Sequence, residues 1–254
     1  MNVRNALIIS FIVLTAVSCS HKTWVITHAT SAKIAVDSTA NSFADKNYQT
    51  YLQPFKQKVD SQMDVVIGQV AVTMTGHAPE SLLSNFSADV YLEAASAFAG
   101  QPVDISVVNL GGLRTMVPAG NITIRKVFEL MPFENELVML WLKGDKLGEL
   151  LQYFASMGGQ GVSGLHMEIE NKRAINITVG GKPLDPEKLY SIATNDYLAG
   201  GNDNMFQLSQ YEKRVNTGIR VRDMLLNYIK NETKKGNIIR SKLDGRITLL
   251  PETR

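Results

Sequence analysis

The strongest constraint on this fold is that the apolar residues switch repeatedly between helical spacing and short β-rich runs. From Glu80 to Ala97 apolar side chains recur every three to four residues, which predicts a helix that ends at Gly100. β-rich runs predict strands, and two further apolar stripes predict helices. The strands are expected at 103–108, 137–142, 165–169, 174–179 and 189–194, and the helices at 147–154 and 221–229. This irregular mixture predicts an α+β domain with a mixed β-sheet packed with helices.

The region before Glu80 has weaker periodicity, so its predictions are coarser. We expect a strand at Thr23–Thr27, a helix beginning near Tyr48, and a strand at Val65–Val72. The predicted organisation is a signal peptide over 1–18, a polar tether over 19–45 and one domain over 46–254.

The single cysteine, Cys19, follows an apolar run at Ala6–Val17. One cysteine cannot form an internal disulfide. The run is shorter than the about 20 apolar residues that span a bilayer, but it suits a signal peptide. The stretch Leu14–Cys19 (LTAVSC) resembles a bacterial lipobox, which implies cleavage before Cys19 and lipidation of its thiol. Because Ser20 follows, we expect a lipid anchor in the outer membrane, facing the periplasm. The alternative is a simple signal peptide with an incidental cysteine.

Composition and motif context argue against several function classes. The formal net charge of +2 lacks the basic bias of a nucleic-acid-binding protein. Four scattered histidines and one cysteine leave little material for a metal centre. Gly159–Gly164 matches G-x-G-x-x-G, but it follows a predicted helix and precedes a strand. A dinucleotide fingerprint needs the opposite order, so we interpret this segment as a connecting loop.

The best candidate for a binding loop is Asn109–Arg114 (NLGGLR), directly after a predicted strand. Gly111 and Gly112 allow the backbone to approach a ligand closely. Asn109 offers one acceptor and two donors, and Arg114 offers a fixed fork of donors. Such a loop suits a ligand that is rich in hydroxyl groups or anionic. A tight turn with a solvated arginine is an equally good interpretation.

Two aromatic residues in loops are candidates to complete this site. Phe133 lies in the Met131–Asn135 segment, and Phe206 follows the Gly- and Asn-rich stretch 200–205. Two rings on facing loops could clamp a flat nucleobase, each stack contributing about 1–3 kcal/mol. Core packing of each ring remains the alternative.

Taken in order, these motifs resemble the C-terminal domain of the 5′-nucleotidase family, from about Pro79 to Asn231. The motifs that carry the resemblance are the Glu80-Ser81 helix opening with Asn85 and Asp89, the Asn109–Arg114 loop, Pro118–Gly120, Met131–Phe133, Val162–Leu165, Tyr190–Ala199 (YSIATNDYLA), and Gly200-Gly201 with Phe206. The resemblance implies an α+β domain that binds the nucleoside part of a nucleotide. It implies that Phe133 and Phe206 clamp the base, while Asn109 and Arg114 contact the sugar and phosphate.

Two departures from the family pattern matter. Pro79 stands where the family commonly has an arginine, so one positive contact to the ligand is expected to be missing. The 60 or so residues between the lipobox and Glu80 lack Asp-x-His and Gly-Asn-His loops, which the family's metallophosphoesterase domain uses to bind two metals.

The resemblance and these departures together predict a nucleotide-recognition domain of a split 5′-nucleotidase. We expect no catalytic residue and no cofactor in this chain, and two divalent metals in a separate metallophosphoesterase partner. The predicted ligand is a nucleoside or nucleotide, and no nucleic acid is expected. The alternatives are a non-catalytic nucleoside-binding lipoprotein and a structural lipoprotein.

Overall fold

A computed structural model describes residues 24–35, 37, 39 and 45–251. These residues fall into two compact units, one ending at Leu52 and one beginning at Gln53. In the first unit, residues 24–35 have no regular secondary structure, so the strand expected at Thr23–Thr27 does not form at Trp24–Thr27. Trp24 and Ile26 are exposed, and no strand among the described residues pairs with this segment. Cys19 and the predicted signal peptide lie outside the described residues.

The second unit mixes helices and strands much as the periodicity predicts. Its helices, with one that begins in the first unit, are α1 (Lys46–Met63), α2 (Leu82–Ala99), α3 (Ile124–Leu130), α4 (Gly144–Ser156), α5 (Asp196–Ala199) and α6 (Val221–Lys234). Its strands are β1 (Val66–Val70), β2 (Ile105–Val108), β3 (Gly120–Thr123), β4 (Glu136–Lys143), β5 (Gly161–Ser163), β6 (Leu165–Glu170), β7 (Arg173–Val179), β8 (Lys182–Pro183), β9 (Leu189–Asn195), β10 (Lys213–Arg220) and β11 (Ile247–Leu249).

The strands form three sheets, and the largest one positions the site. Its strand order is β10-β4-β9-β2-β5. Strands β2 and β9 are parallel, whereas β4 runs antiparallel to β9 and pairs Leu137 with Asn195. The carboxyl ends of β2 and β9 and the beginning of β4 therefore lie at the same edge of the sheet. A second sheet, β11-β6-β7-β8, and the antiparallel β1-β3 pair complete the unit.

Two hydrophobic cores cover the two faces of the large sheet. In β4, Leu137 and Met139 pack with residues of α2 and α6 in one core. Val138, Leu140 and Leu142 pack with residues of α4 in the other. This alternation is the period of two of a β-strand, and it explains why β4 is a continuous apolar run. The predicted α+β fold with a mixed sheet is confirmed.

Helix α2 is fixed at both ends by its own sequence. Ser81 caps the N-terminus by accepting a hydrogen bond from the backbone N–H of Ser84, and Gly100 ends the helix in the left-handed region with φ 66°. Arg246, from the chain near β11, pairs with Asp89 of α2 at 2.8 Å and with Asp244 at 2.8 Å. The C-terminal segment is thereby fastened to α2.

The structure also contains elements that the periodicity does not predict. Strand β10 alternates apolar and charged residues too weakly to stand out, and β8 is two residues long. The connecting loop expected at 159–164 contains the short strand β5, which pairs antiparallel with β2. A Cβ added at Gly161 would lie 2.8 Å from the Val108 carbonyl oxygen, so a glycine is needed for this close pairing.

Candidate functional site

A cavity of about 360 Å³ opens at the edge where β2 and β9 end and β4 begins. Edges where strands end are common positions for ligand sites because the connecting loops there are free to vary. Five of the six sequence-predicted binding residues line this cavity. They are Asn109, Gly111, Gly112, Arg114 and Phe133. The structure therefore brings together two segments, the Asn109 loop and the Phe133 loop, that the sequence could only propose separately.

The Asn109 loop turns sharply after β2 through a short 3₁₀ helix at Leu110–Gly112. The nearly buried Asn109 side chain donates from Nδ2 to Asp203 Oδ2 at 2.6 Å. A Cβ added at Gly112 would lie 2.7 Å from Asn109 Oδ1. Gly112 therefore makes room for the amide of Asn109, whereas a Cβ added at Gly111 would meet nothing within 4 Å.

Arg114 supplies the positive charge that lines the cavity. Its guanidinium donates from Nη1 to the Gly111 carbonyl oxygen at 3.1 Å, which ties the side chain to its own loop. The guanidinium carbon lies 6.0 Å from the centre of the Phe133 ring, at the outer limit of a cation–π contact. The guanidinium is exposed and keeps donors available for an anionic group.

Phe133 is 44% exposed, so its ring is not part of either core. Its loop is fastened to the start of α6: Arg222 donates from Nη1 to the Phe133 carbonyl oxygen at 3.4 Å and pairs with Glu134. The hydrogen bond from Arg222 holds the pKa of Glu134 below its ordinary value. Val221 N–H also donates to the Asn135 carbonyl oxygen at 2.9 Å. An exposed aromatic ring on an anchored loop suits stacking on a flat ligand.

Phe206, the second predicted clamp residue, does not line this cavity. It begins a 3₁₀ helix at Phe206–Ser209 and is 60% exposed. The preceding Met205 is fully buried in the core beside α4, which holds the chain in place just before Phe206. Tyr197, in the first turn after β9, lines the cavity instead.

Tyr197 and Asp203 are two of the cavity-lining residues that sequence reasoning missed. Tyr197 donates from its hydroxyl to Asp203 Oδ1 at 2.8 Å, and this hydrogen bond raises the pKa of Tyr197. Asp203 has φ 55° and also accepts from Asn109, so its carboxylate stands between donors from two loops. The sequence signal that could have pointed to Tyr197 is its position just after the strand predicted at 189–194.

One carboxylate links the two aromatic segments. Asp196 Oδ1 accepts from the backbone N–H of Tyr197 at 2.9 Å and from that of Glu136 at 3.1 Å. Glu136 follows the Phe133 loop at the start of β4. Because a single oxygen holds both backbones, the spacing between the two segments is set by the fold.

The innermost wall of the cavity is formed by Tyr91 of α2 and Asn195 at the end of β9. Both are buried. Asn195 Oδ1 accepts from the Leu198 N–H at 2.8 Å and so caps α5. Burial raises the pKa of the Tyr91 hydroxyl, and a hydrogen bond with the Asn195 side chain opposes this only in part.

The described His, Cys, Asp and Glu side chains do not cluster as metal ligands would. Over 24–35, 37, 39 and 45–251, no group of three or more His, Cys, Asp or Glu side chains is placed to hold a metal ion. These residues do not fit a two-metal phosphoesterase centre, and we derive no metal-dependent step from them. The same ranges include no helix that is both long and apolar enough to cross a membrane.

Comparisons with known proteins agree with this architecture. Residues 66–210 match the family model of the 5′-nucleotidase C-terminal domain, and the chain belongs to this family. Protein UshA of Yersinia enterocolitica is 31% identical over 198 residues, which cover 74% of this chain and 35% of that protein. A 5′-nucleotidase of Vibrio parahaemolyticus is 27% identical over 199 residues, covering 74% of this chain and 34% of that protein.

A solved structure of a 5′-nucleotidase supports the same family membership. The crystal structure of a 5′-nucleotidase precursor from Thermus thermophilus superposes with a TM-score of 0.71 and 29% identity, covering 84% of this chain and 44% of that chain. The chain thus spans about a third of the length of the two curated relatives.

Proposed function

We propose that this chain recognises the nucleoside part of a nucleotide and works with a separate metallophosphoesterase as a split 5′-nucleotidase. The observation that carries this proposal is one cavity that joins two aromatic rings, Phe133 and Tyr197, with the Asp203 carboxylate and the Arg114 guanidinium. Membership of the 5′-nucleotidase C-terminal domain family supports it.

The lining groups match the parts of a nucleotide one by one. The rings of Phe133 and Tyr197 offer faces on which a base stacks. The Asp203 carboxylate has acceptor capacity beyond its bonds to Asn109 and Tyr197, which suits the hydroxyl groups of a ribose. Arg114 offers a charged donor fork to a phosphate. Pro79 stands where the family commonly has an arginine, so we propose that this chain lacks one of the family's charged contacts to the phosphate.

The hydrolytic step is assigned to the partner chain. Hydrolysis of a phosphomonoester by two metals needs ligands that activate water and neutralise the developing charge. We place both divalent metals in the partner and no cofactor and no catalytic residue in this chain. The names of the relatives as 5′-nucleotidases support the reaction class.

We place this activity outside the cytoplasm, on a lipid anchor. The support is the apolar run that ends at Cys19 in a lipobox-like sequence, with Ser20 after it. The anchor is the Cys19 thiol, and the proposed location is the outer membrane facing the periplasm. There the chain would act on extracytoplasmic nucleotides.

Calorimetric titration of the full chain with adenosine and AMP tests nucleoside recognition. Phe133→Ala and Tyr197→Ala should each weaken binding by about 5- to 100-fold, the size of a lost base–aromatic stack. Phe206→Ala is the matched control, an exposed phenylalanine that does not line the cavity, and it should bind like the wild type. If all three variants bind like the wild type, the stacking assignment is wrong.

Phosphate release from AMP in the presence of Mn²⁺ tests the split. The pure chain should release none, and addition of a co-purifying metallophosphoesterase should produce turnover that Phe133→Ala reduces. Turnover by this chain alone would refute the split arrangement. Binding without turnover in the mixture would favour a non-catalytic nucleoside-binding lipoprotein, and the absence of binding would favour a structural one.

A further inference from the structure

The glycine-rich segment Gly159–Gly164 places one buried polar side chain against the Asn109 loop. The Gln160 residue is only 6% exposed, and its Oε1 accepts a hydrogen bond from the backbone N–H of Leu110 at 2.9 Å. Leu110 is the first residue of the short 3₁₀ helix of that loop. Gln160 therefore supports the binding loop from behind, since it does not itself line the cavity.

This hydrogen bond acts on the peptide unit that joins Asn109 to Leu110. A trans peptide unit is planar, and its C=O and N–H point in opposite directions. The C=O of this unit accepts from the Gly112 N–H at 3.0 Å, and its N–H donates to Gln160. Because the plane is held on both sides, the direction in which the Asn109 side chain leaves the backbone is held as well. That side chain donates to Asp203 in the cavity wall.

Two glycines allow Gln160 to occupy this position. A Cβ added at Gly159, whose φ is 126°, would lie 2.5 Å from the Pro79 carbonyl oxygen. A Cβ added at Gly161 would lie 2.8 Å from the Val108 carbonyl oxygen. The backbone on either side of Gln160 thus touches two other segments at distances that only glycine permits. This close packing accounts for two glycines of the motif without a bound dinucleotide.

We propose that Gln160 is a positioning residue of the nucleoside site, which fixes the Asn109–Leu110 peptide unit and, through it, the Asn109 amide. This role rests on the proposed function, because the ligand whose binding it supports is the nucleoside. Without the Gln160 oxygen the Leu110 N–H loses its partner, and the peptide unit can adopt other orientations. Only a fraction of the molecules then holds the loop in its binding geometry, and the apparent affinity falls by that fraction.

Gln152 of α4 provides a matched control. Its Nε2 donates to the Ala174 carbonyl oxygen at 2.8 Å, and its Oε1 accepts from the Ala174 N–H at 3.0 Å. Neither residue lines the cavity. Gln160→Met and Gln152→Met therefore both remove bonds from a glutamine side chain to the backbone, but only Gln160→Met acts on the binding loop. Gln160→Glu keeps an acceptor oxygen on a side chain of the same length.

The experiment titrates the full wild-type chain and these three variants with adenosine, and records amide hydrogen exchange of Leu110 by NMR without ligand. Adenosine is the probe because it is uncharged, so the carboxylate of Gln160→Glu does not repel it. Gln160→Met should bind adenosine about 3- to 10-fold more weakly, the effect of one lost hydrogen bond, and its Leu110 amide should exchange faster. Gln160→Glu should stay within about twofold of the wild type in both measurements. Gln152→Met should bind adenosine like the wild type, even where its melting temperature falls.

The outcomes separate this role from the function on which it rests. If the wild type binds adenosine and Gln160→Met binds it as tightly, or if Gln160→Glu loses as much affinity as Gln160→Met, Gln160 does not position the site. An equal loss in Gln152→Met would overturn the role too, because it would trace the effect to general destabilisation. If Gln160→Met does not fold, Gln160→Asn, which withdraws the oxygen by one methylene, takes its place with the same expected loss. A wild type that binds no adenosine refutes the proposed function, and the role of Gln160 fails with it.

Discussion

Substitution of Asn109 by Asp would replace the central hydrogen bond of the site with a pair of facing carboxylates. In the wild type Asn109 Nδ2 donates to Asp203 Oδ2 at 2.6 Å. In Asn109→Asp two oxygens would meet at that distance without a proton between them. Asn109 is nearly buried, so the pair cannot be fully relieved by solvent.

The magnitude follows from the distance. Two unit charges 2.6 Å apart repel by about 6 kcal/mol at an effective dielectric constant of about 20. Because the Asp203 side is exposed, solvent screening lowers this to about 2 kcal/mol at pH 7. At low pH the two carboxyls share one proton and regain a hydrogen bond. The folded variant therefore binds a proton more tightly than its unfolded chain does, so its stability is present at acid pH and is lost as pH rises toward neutrality.

The assay is urea unfolding of the wild type and Asn109→Asp from pH 4 to pH 8. The gap in unfolding free energy should be small near pH 4 and about 2 kcal/mol at pH 7. The double variant Asn109→Asp/Asp203→Asn exchanges the two groups and restores one amide–carboxylate bond, and asparagine tolerates the φ of 55° at position 203. It should return to within about 0.5 kcal/mol of the wild type. A gap that does not change with pH, or a double variant no better than the single one, would refute the Asn109–Asp203 contact.

Two further predictions concern the loop and the C-terminal segment. Gly112→Ala should displace the Asn109 amide, because the new Cβ of residue 112 would lie 2.7 Å from Asn109 Oδ1. In a titration this variant should bind adenosine about tenfold more weakly. Gly111→Ala, whose Cβ would meet nothing within 4 Å, should leave the melting temperature of the free chain unchanged. Arg246→Met should lower the unfolding free energy by about 2–3 kcal/mol at pH 7 because it removes a buried ion-pair partner. The Arg246 guanidinium holds the pKa of Asp244 below its ordinary value of 3.8, so this part of the stabilisation declines as pH falls below that value. The gap between the two chains in urea unfolding should therefore be smaller at pH 3 than at pH 7. An undiminished gap at pH 3 would contradict this role of Arg246.

The sequence predicts the fold well where one face of an element is buried. The stripe of α2 and the apolar run of β4 each face a core, so their spacing follows the element's own period. Strand β10 lies at the edge of the large sheet, pairs within the described residues with β4 alone, and carries exposed basic residues, so its pattern is weak. The isolated segment at Trp24–Thr27 has β-forming residues but no pairing strand within the described residues, which shows that propensity alone does not make a strand.

The site is partly predictable for a different reason. Asn109 and Arg114 follow a strand and two glycines, so local sequence marks their loop. Tyr197 and Asp203 join that loop only because β2 and β9 are parallel neighbours, a pairing between residues nearly 90 positions apart. Phe206 resembles the aromatic residue of the family motif that begins at Gly200-Gly201, yet it does not line the cavity. The spacing of residues along the sequence does not reveal which distant strands pair.

The central claim is that a nucleoside binds in the cavity at the ends of β2 and β9. Mapping of backbone amide chemical shifts by NMR during titration of the full chain with adenosine tests it most directly. We predict saturable shifts that concentrate in residues 109–114, 131–135 and 195–205 and that disappear in Phe133→Ala at the same concentrations. Saturable shifts concentrated elsewhere, such as around Arg246, or no shifts at millimolar adenosine, would contradict the claim.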